Sequence, residues 1–185
     1  MARIITIVLC FAFVQQLSAQ EPTFARYIKV NVADSQLTIK ETIRNRLLKE
    51  IGSKKKQTAG SRLRLVLTGD KESNSSTGRW LAARQNKDLY LINLSAVVSK
   101  YIGETEKNLA LLFDRAEGMN CILLFDEADA LFGQRTDSKE DNERQAALTY
   151  FLERMNQYKG SILISCSGAD CQASLGKNKF TEIKE

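Results

Sequence analysis

The run Cys121-Ile-Leu-Leu-Phe-Asp126-Glu127-Ala-Asp129 constrains this chain more than any other stretch. Unbroken apolar residues bounded by polar ones fit a strand buried on both faces, as in parallel sheets covered by helices on each side. The two carboxylates then fall at the strand's C-terminal end, the edge where open α/β sheets place their ligands. At such an edge Asp126 can hold a divalent cation, and Glu127 can orient and polarise an attacking water. The same residues also read as a buried strand running into a solvated acidic turn. The flanking sequence has to decide between the two.

Strand patterns recur on either side, at Tyr27–Val32, Leu63–Thr68, Leu89–Leu94 and Ser161–Ser165. Helical periodicity lies between them. Ile39, Ile43, Leu47 and Leu48 share one face, with Gly52 as a stop, and Leu81–Leu89 reads as a helix with its exit. Leu109, Leu112, Phe113 and Ala116 repeat at helical spacing after a candidate cap, Thr105, and end at Gly118. Leu148, Phe151, Leu152 and Met155 form a further face that stops at Gly160. Strands alternating with helices predict an α/β fold, a parallel sheet with crossover helices.

Composition narrows the chemistry. A hydrophobic content of 43% suffices for a real core, and the absence of His excludes a His-based metal site or triad. Lys40–Arg64 carries nine basic and two acidic residues, whereas Asp126–Glu143 carries seven acidic and two basic, so the net charge of +5 hides two opposed regions. Lys54-Lys55-Lys56 reads as a solvated linker or as a contact for an anionic partner. The four Cys do not have zinc-site spacing, and Cys166 and Cys171 are close enough for a small disulfide loop. At the N-terminus, Arg3, the apolar run Ile4–Val14 and Ala19 have the order of an export signal cut after residue 19; the alternative is a buried N-terminal element. The eleven residues of this run, all apolar but Thr6, are too few to span a bilayer as a helix. The expected boundaries are a signal at 1–19, a strand–helix extension with a basic linker at 20–60, and a core at 61–185.

A phosphate loop of the form G-x-x-x-x-G-K-[ST] should follow the strand that ends near Thr68. The chain reads Gly69-Asp-Lys-Glu-Ser-Asn74-Ser75-Ser76-Thr-Gly78-Arg79. Counting without a gap puts Asn74, Ser75 and Ser76 on the last three positions, where no Lys stands. Ser75 or Ser76 still offers a hydroxyl, and Gly78-Arg79 offers a displaced cation. Asp70, Lys71 and Glu72 fall early in the loop, where carboxylates repel a polyphosphate.

Three segments in order, Leu94–Asn108, Leu112–Glu117 and Ile122–Arg135, resemble the core of an AAA+ ATPase, and in particular the bacterial members associated with contractile injection systems. The resemblance is clear from about Leu89 to Gly160 and weak over Arg62–Asp88 and Ser161–Phe180. It implies a three-layer P-loop NTPase-like sandwich, ATP and Mg²⁺ as cofactors, and hydrolysis coupled to remodelling of a polypeptide substrate. It also implies assembly into a ring of copies. Asp126 matches the metal-holding Asp of the Walker B pair, and Glu127 the catalytic Glu. Gly69, Asn74, Ser75 and Ser76 fall at nucleotide-binding positions. Tyr101-Ile102-Gly103 matches the pore loop that grips a polypeptide in hexameric relatives, though Tyr101 also reads as a helix-entry residue packed on the sheet.

The departures are specific. Ser167 falls where the family places a polar sensor, usually Asn. Asn178 and Lys179 fall where relatives present paired arginines, and Lys lacks the bidentate fork of Arg. The helical lid of relatives has no counterpart before Glu185. Two functions are therefore expected: an ATPase acting on a protein partner, or an exported, catalytically inactive interaction module built on the same fold. Neither expectation includes a nucleic-acid partner, or a membrane span once the signal is cut.

Overall fold

Six strands form one sheet in the order β1-β3-β4-β5-β2-β6. They are β1 (Ala25–Ile28), β2 (Arg64–Leu67), β3 (Asp88–Asn93), β4 (Cys121–Asp126), β5 (Ile162–Ser165) and β6 (Thr181–Ile183). All pairings are parallel except β1 with β3. The computed structural model describes residues 22–54, 62–132 and 139–183. The expected export signal, the lysines at 55 and 56 and residues 133–138 lie outside the described residues. No helix of the described residues is long and apolar enough to cross a membrane.

The helices are α1 (Glu41–Lys54), α2 (Lys71–Arg84), the short α3 (Leu94–Val97), α4 (Glu104–Glu117), the short α5 (Asp129–Phe132), α6 (Lys139–Gln157) and α7 (Ala169–Lys177). The two-residue period of the strands sorts the core into two halves. Leu123, Phe125, Ile162 and Ile164 face α4, α6 and α7, meeting Leu109, Phe113, Phe151 and Leu175. Ile122, Leu124, Leu65, Leu67 and Leu163 face α1 and α2, meeting Ile43, Leu47, Trp80 and Leu81. The result is a three-layer α/β sandwich. Every residue of β4 is buried, as its unbroken apolar run requires. Phe125 and Phe151 meet edge to face with ring centroids 4.9 Å apart, the arrangement that ring quadrupoles prefer.

Several local expectations shift. Val32 does not extend the first strand; it opens a 3-10 turn at Val32–Gln36, where Asn31 and Asp34 form a capping box. Gly52 does not stop α1, which continues to Lys54, and Leu48 stays partly exposed while Ile39, Ile43 and Leu47 are buried. Thr105 is not the cap of α4. Gly103 takes that place with φ of 73°, a left-handed conformation that glycine adopts without Cβ strain. Thr105 Oγ1 instead accepts from the Ser99 amide at 3.0 Å.

Residues 22–39 are built into the sandwich rather than hanging from it. β1 pairs with β3, Tyr27 donates its hydroxyl to Asp88, and Arg79 reaches the buried Asp34 at 2.5 Å. At the opposite end of the sheet, Arg64 donates to the carbonyls of Met155, Tyr158 and Gly160 at 3.1, 2.6 and 2.5 Å. It thereby satisfies carbonyls that the end of α6 leaves open. Burial, helped by neighbouring Arg62, pushes its guanidinium down to about 10.

Candidate functional site

The connections leaving adjacent strands β2 and β5 go to opposite faces of the sheet. After β2 the chain enters α2, whose Trp80 and Leu81 pack in one half of the core. After β5 it enters α7, whose Cys171 and Leu175 pack in the other. Such a divergence opens a crevice at the C-terminal ends of the strands. Here it is a cleft of about 370 Å³ lined by Gly69, Asp70, Lys71, Ser95, Asp126, Glu127, Asp129, Ala130, Ser165 and Ser167.

Asp126 ends β4 with its carboxylate almost fully buried, and Glu127 follows, 41% exposed at the side chain. Glu127 adopts φ of 57°, a left-handed backbone that costs a side-chain-bearing residue strain. Its amide lies 3.1 Å from Asp126 Oδ1. Lys71, the first residue of α2, places Nζ 2.8 Å from Glu127 Oε1 and 3.6 Å from Asp126 Oδ2. Ser95 Oγ donates to the other Glu127 oxygen. The hydrogen bonds from Lys71 and then Ser95 hold the Glu127 carboxyl below the usual carboxylate range, and the Glu127 bond raises Lys71 in turn.

The β2–α2 connection is Thr68-Gly69-Asp70 alone, and α2 begins at Lys71. Asp70 caps the helix by accepting the Ser73 amide at 2.8 Å, so a carboxylate occupies the helix terminus where a phosphate loop would present amides to an anion. Asn74, Ser75 and Ser76 therefore do not lie in a loop; they stand inside α2, and none lines the cleft. Asn74 is buried and donates to Gly69 O at 2.7 Å and Ser165 Oγ at 2.9 Å, a packing role behind the site. Gly69 does line the cleft. Gly78 sits farther along α2, where a Cβ would come within 3.0 Å of Leu124 Cδ2. It serves the close approach of helix and sheet, and Arg79 serves Asp34.

Lys71, Ser95, Asp129 and Ser165 complete the cleft and were not among the predicted site residues. Ungapped counting from Gly69 hides Lys71, because a shorter connection brings the helix, and its first lysine, forward. Asp129 accepts the Ser167 and Gly168 amides at 2.9 and 2.8 Å, clamping the turn after β4 to the loop after β5. Ser167 thus lines the cleft. Asn178 and Lys179 lie beyond the far end of α7 and outside the cleft. Cys166 and Cys171 form the disulfide that their spacing allows.

Tyr101 and Ile102 are 60% and 71% exposed. Tyr101 does not pack on the sheet; Lys100 Nζ lies 5.4 Å from its ring centre. Ser99 fixes the loop's base, donating to Glu104 at 2.6 Å and accepting the Tyr101 amide at 3.2 Å.

The donor set suits only part of a Mg²⁺–nucleotide complex. Asp126 and Glu127 offer hard oxygens suited to a divalent cation. The phosphate side does not fit: the connection is too short to wrap a polyphosphate, and Asp70 holds the helix terminus. Among the described residues lining the cleft there are four carboxylates, Asp70, Asp126, Glu127 and Asp129, and one lysine, Lys71, which pairs with Asp126 and Glu127.

Residues 65–175, well over half of the chain, match the model of the ATPase family associated with various cellular activities (AAA). The chain belongs to the AAA family. Among its relatives, an uncharacterized AAA family ATPase, y4kL, of Sinorhizobium fredii is 38% identical over 92 residues, covering 48% of this chain and 27% of that protein. A proteasome-associated ATPase of Parafrankia is 33% identical over 82 residues, 40% of this chain and 14% of that protein. The 26S proteasome regulatory subunit S10B homolog B of Arabidopsis thaliana is 34% identical over 90 residues, 45% of this chain and 22% of that protein. The chain therefore spans about a quarter or less of the length of these relatives. Within the AAA domain, Asp126 ends β4 and Glu127 directly follows it.

Proposed function

We propose that this AAA domain engages a protein partner through the Tyr101–Ile102 loop and has given up nucleotide turnover. The observation that carries the reading is the Asp70-capped, three-residue entry to α2, with Lys71 turned onto Asp126 and Glu127. The Lys71 ammonium, 64% exposed at its side chain, pairs with the carboxylates that a metal would otherwise neutralise. The cleft's remaining negative charge repels a triphosphate. The exposed, base-fixed Tyr-Ile pair offers apolar and aromatic surface to a polypeptide, and relatives named as proteasome-associated or proteasome regulatory ATPases accord with a protein partner. Export, if the signal-like N-terminus is cut as expected, would place the domain where ATP is scarce.

A second reading, Mg²⁺-dependent ATP binding and hydrolysis within a ring of copies, is favoured by Lys71. It opens the helix after β2 and faces the acidic pair, the position from which a phosphate-loop lysine works. Calorimetric titration of the chain with Mg-ATP decides between the two, with Asp126→Ala as control. Absence of heat from the folded wild type is the expected result. Saturable binding that disappears in Asp126→Ala would favour the second reading instead, and a turnover assay would then test hydrolysis.

A further inference from the structure

We propose that Asp129, Cys166 and Cys171, when both cysteines are reduced, form a site for a soft divalent cation, with Zn²⁺ best suited to the ligands. One ligand atom from each of the three residues lies within 4.8 Å of the others. They come from separate elements: Asp129 opens α5 after the β4 turn, Cys166 follows β5, and Cys171 lies in the first turn of α7. Both cysteines are buried, 1% exposed each. Asp129 lines the cleft, so its side is open to solvent while the sulfurs lie behind it.

Two thiolates and a carboxylate are a zinc donor set that leaves a fourth position for water. With Zn–S bonds of about 2.3 Å and tetrahedral angles, two thiolates stand about 3.8 Å apart. In the structure the two sulfurs are joined to each other, so a metal requires that they first be reduced and then part to that spacing, with the Asp129 oxygen within 4.8 Å of both. The Cα atoms of the two cysteines are 6.3 Å apart, a separation that also admits a disulfide. Asp129 is already oriented by the Ser167 and Gly168 amides, which leave each oxygen a lone pair. Among the described residues no Lys or Arg is ion-paired with it.

The two states exclude each other. Metal entry displaces two thiol protons. Oxidation by a low-molecular-weight disulfide forms the Cys166–Cys171 bond, releases two small thiols, and expels the cation to water. The redox state of the surroundings therefore selects a covalent or a metal clamp at the same corner of the cleft. Cys121 is buried in β4 and does not belong to this cluster of ligands.

Co²⁺ titration of the whole chain in a Cys10→Ser/Cys121→Ala background tests the site. The reduced protein should give a thiolate-to-cobalt charge-transfer band at one ion per chain, bleached by Zn²⁺. Oxidised glutathione, Cys166→Ser and Cys171→Ser should each abolish it. Asp129→Asn, which keeps both thiols, should weaken affinity by about tenfold or more. No band from a reduced chain with native circular dichroism overturns the proposal. So does a band that survives Cys166→Ser, or unchanged affinity in Asp129→Asn. If the reduced chain unfolds without metal, refolding on addition of Zn²⁺ supports the site and failure to refold overturns it.

Discussion

At Glu127 a side chain conspicuous in the sequence meets a backbone conformation that the sequence does not announce. Asp126 and Glu127 could be placed at a strand's C-terminal end because an unbroken apolar run fits a strand buried on both faces. Lys71 could not be placed, because spacing rules presume a loop of full length and a shortened connection moves every later residue. The Lys71 contact gives Glu127 a measurable signature. A carboxyl with a lowered folded-state pKa contributes stability above the ordinary carboxylate range and loses it as pH falls through the folded value. Carboxyl-carbon NMR should find Glu127 titrating below that range, and Lys71→Met should move its midpoint up toward the ordinary value. Phe151 tests the core at the same scale. It is fully buried against Phe113 and Phe125, so Phe151→Ala should cost about 3–5 kcal/mol in denaturant unfolding.

Helices α4 and α6 could be read from periodicity because one stripe of each faces the sheet. The start of α2 could not, since its residues look like loop: Ser, Asn and Gly are poor helix formers. Asp70 overrides that weakness by capping the helix, and Asn74 finds partners inside it. Substituting Asn74→Gly, Ser75→Lys and Ser76→Thr together should therefore confer no calorimetric ATP binding. The new lysine would sit on the second turn of a helix, and the phosphate cradle needs added backbone instead. For α6 the decisive element lies outside the helix, in Arg64. Arg64→Met should cost about 1–3 kcal/mol, because the carbonyls of Met155, Tyr158 and Gly160 lose their donors. Hydrogen exchange should quicken near the end of α6 before it does elsewhere.

For the molecule as a whole, the order of strands and helices was enough to predict a parallel α/β sandwich. It did not reveal that the first strand runs antiparallel at the edge, since a short alternating strand fits either direction until its neighbour is known. Nor could composition show how charge gathers. The net positive chain gathers four carboxylates at the crevice between β2 and β5, where Lys71 pairs with two of them. The N-terminal segment predicted as an extension proves continuous with the sheet, tied to it by Asp88 and Arg79.

That continuity bears on how the protein keeps to itself. An uncovered sheet edge presents a row of amide and carbonyl groups to any other chain, and β3, rich in Leu, Tyr and Ile, would make an adhesive one. With β1 laid along it, the margin becomes a four-residue strand bearing Arg26. A chain begun at Leu37 should lose solubility before it loses helix content, with size-exclusion chromatography showing large species while circular dichroism still reads folded. The first strand thus works as a selvedge, finishing the border of the fabric so that it neither frays nor catches on its neighbour.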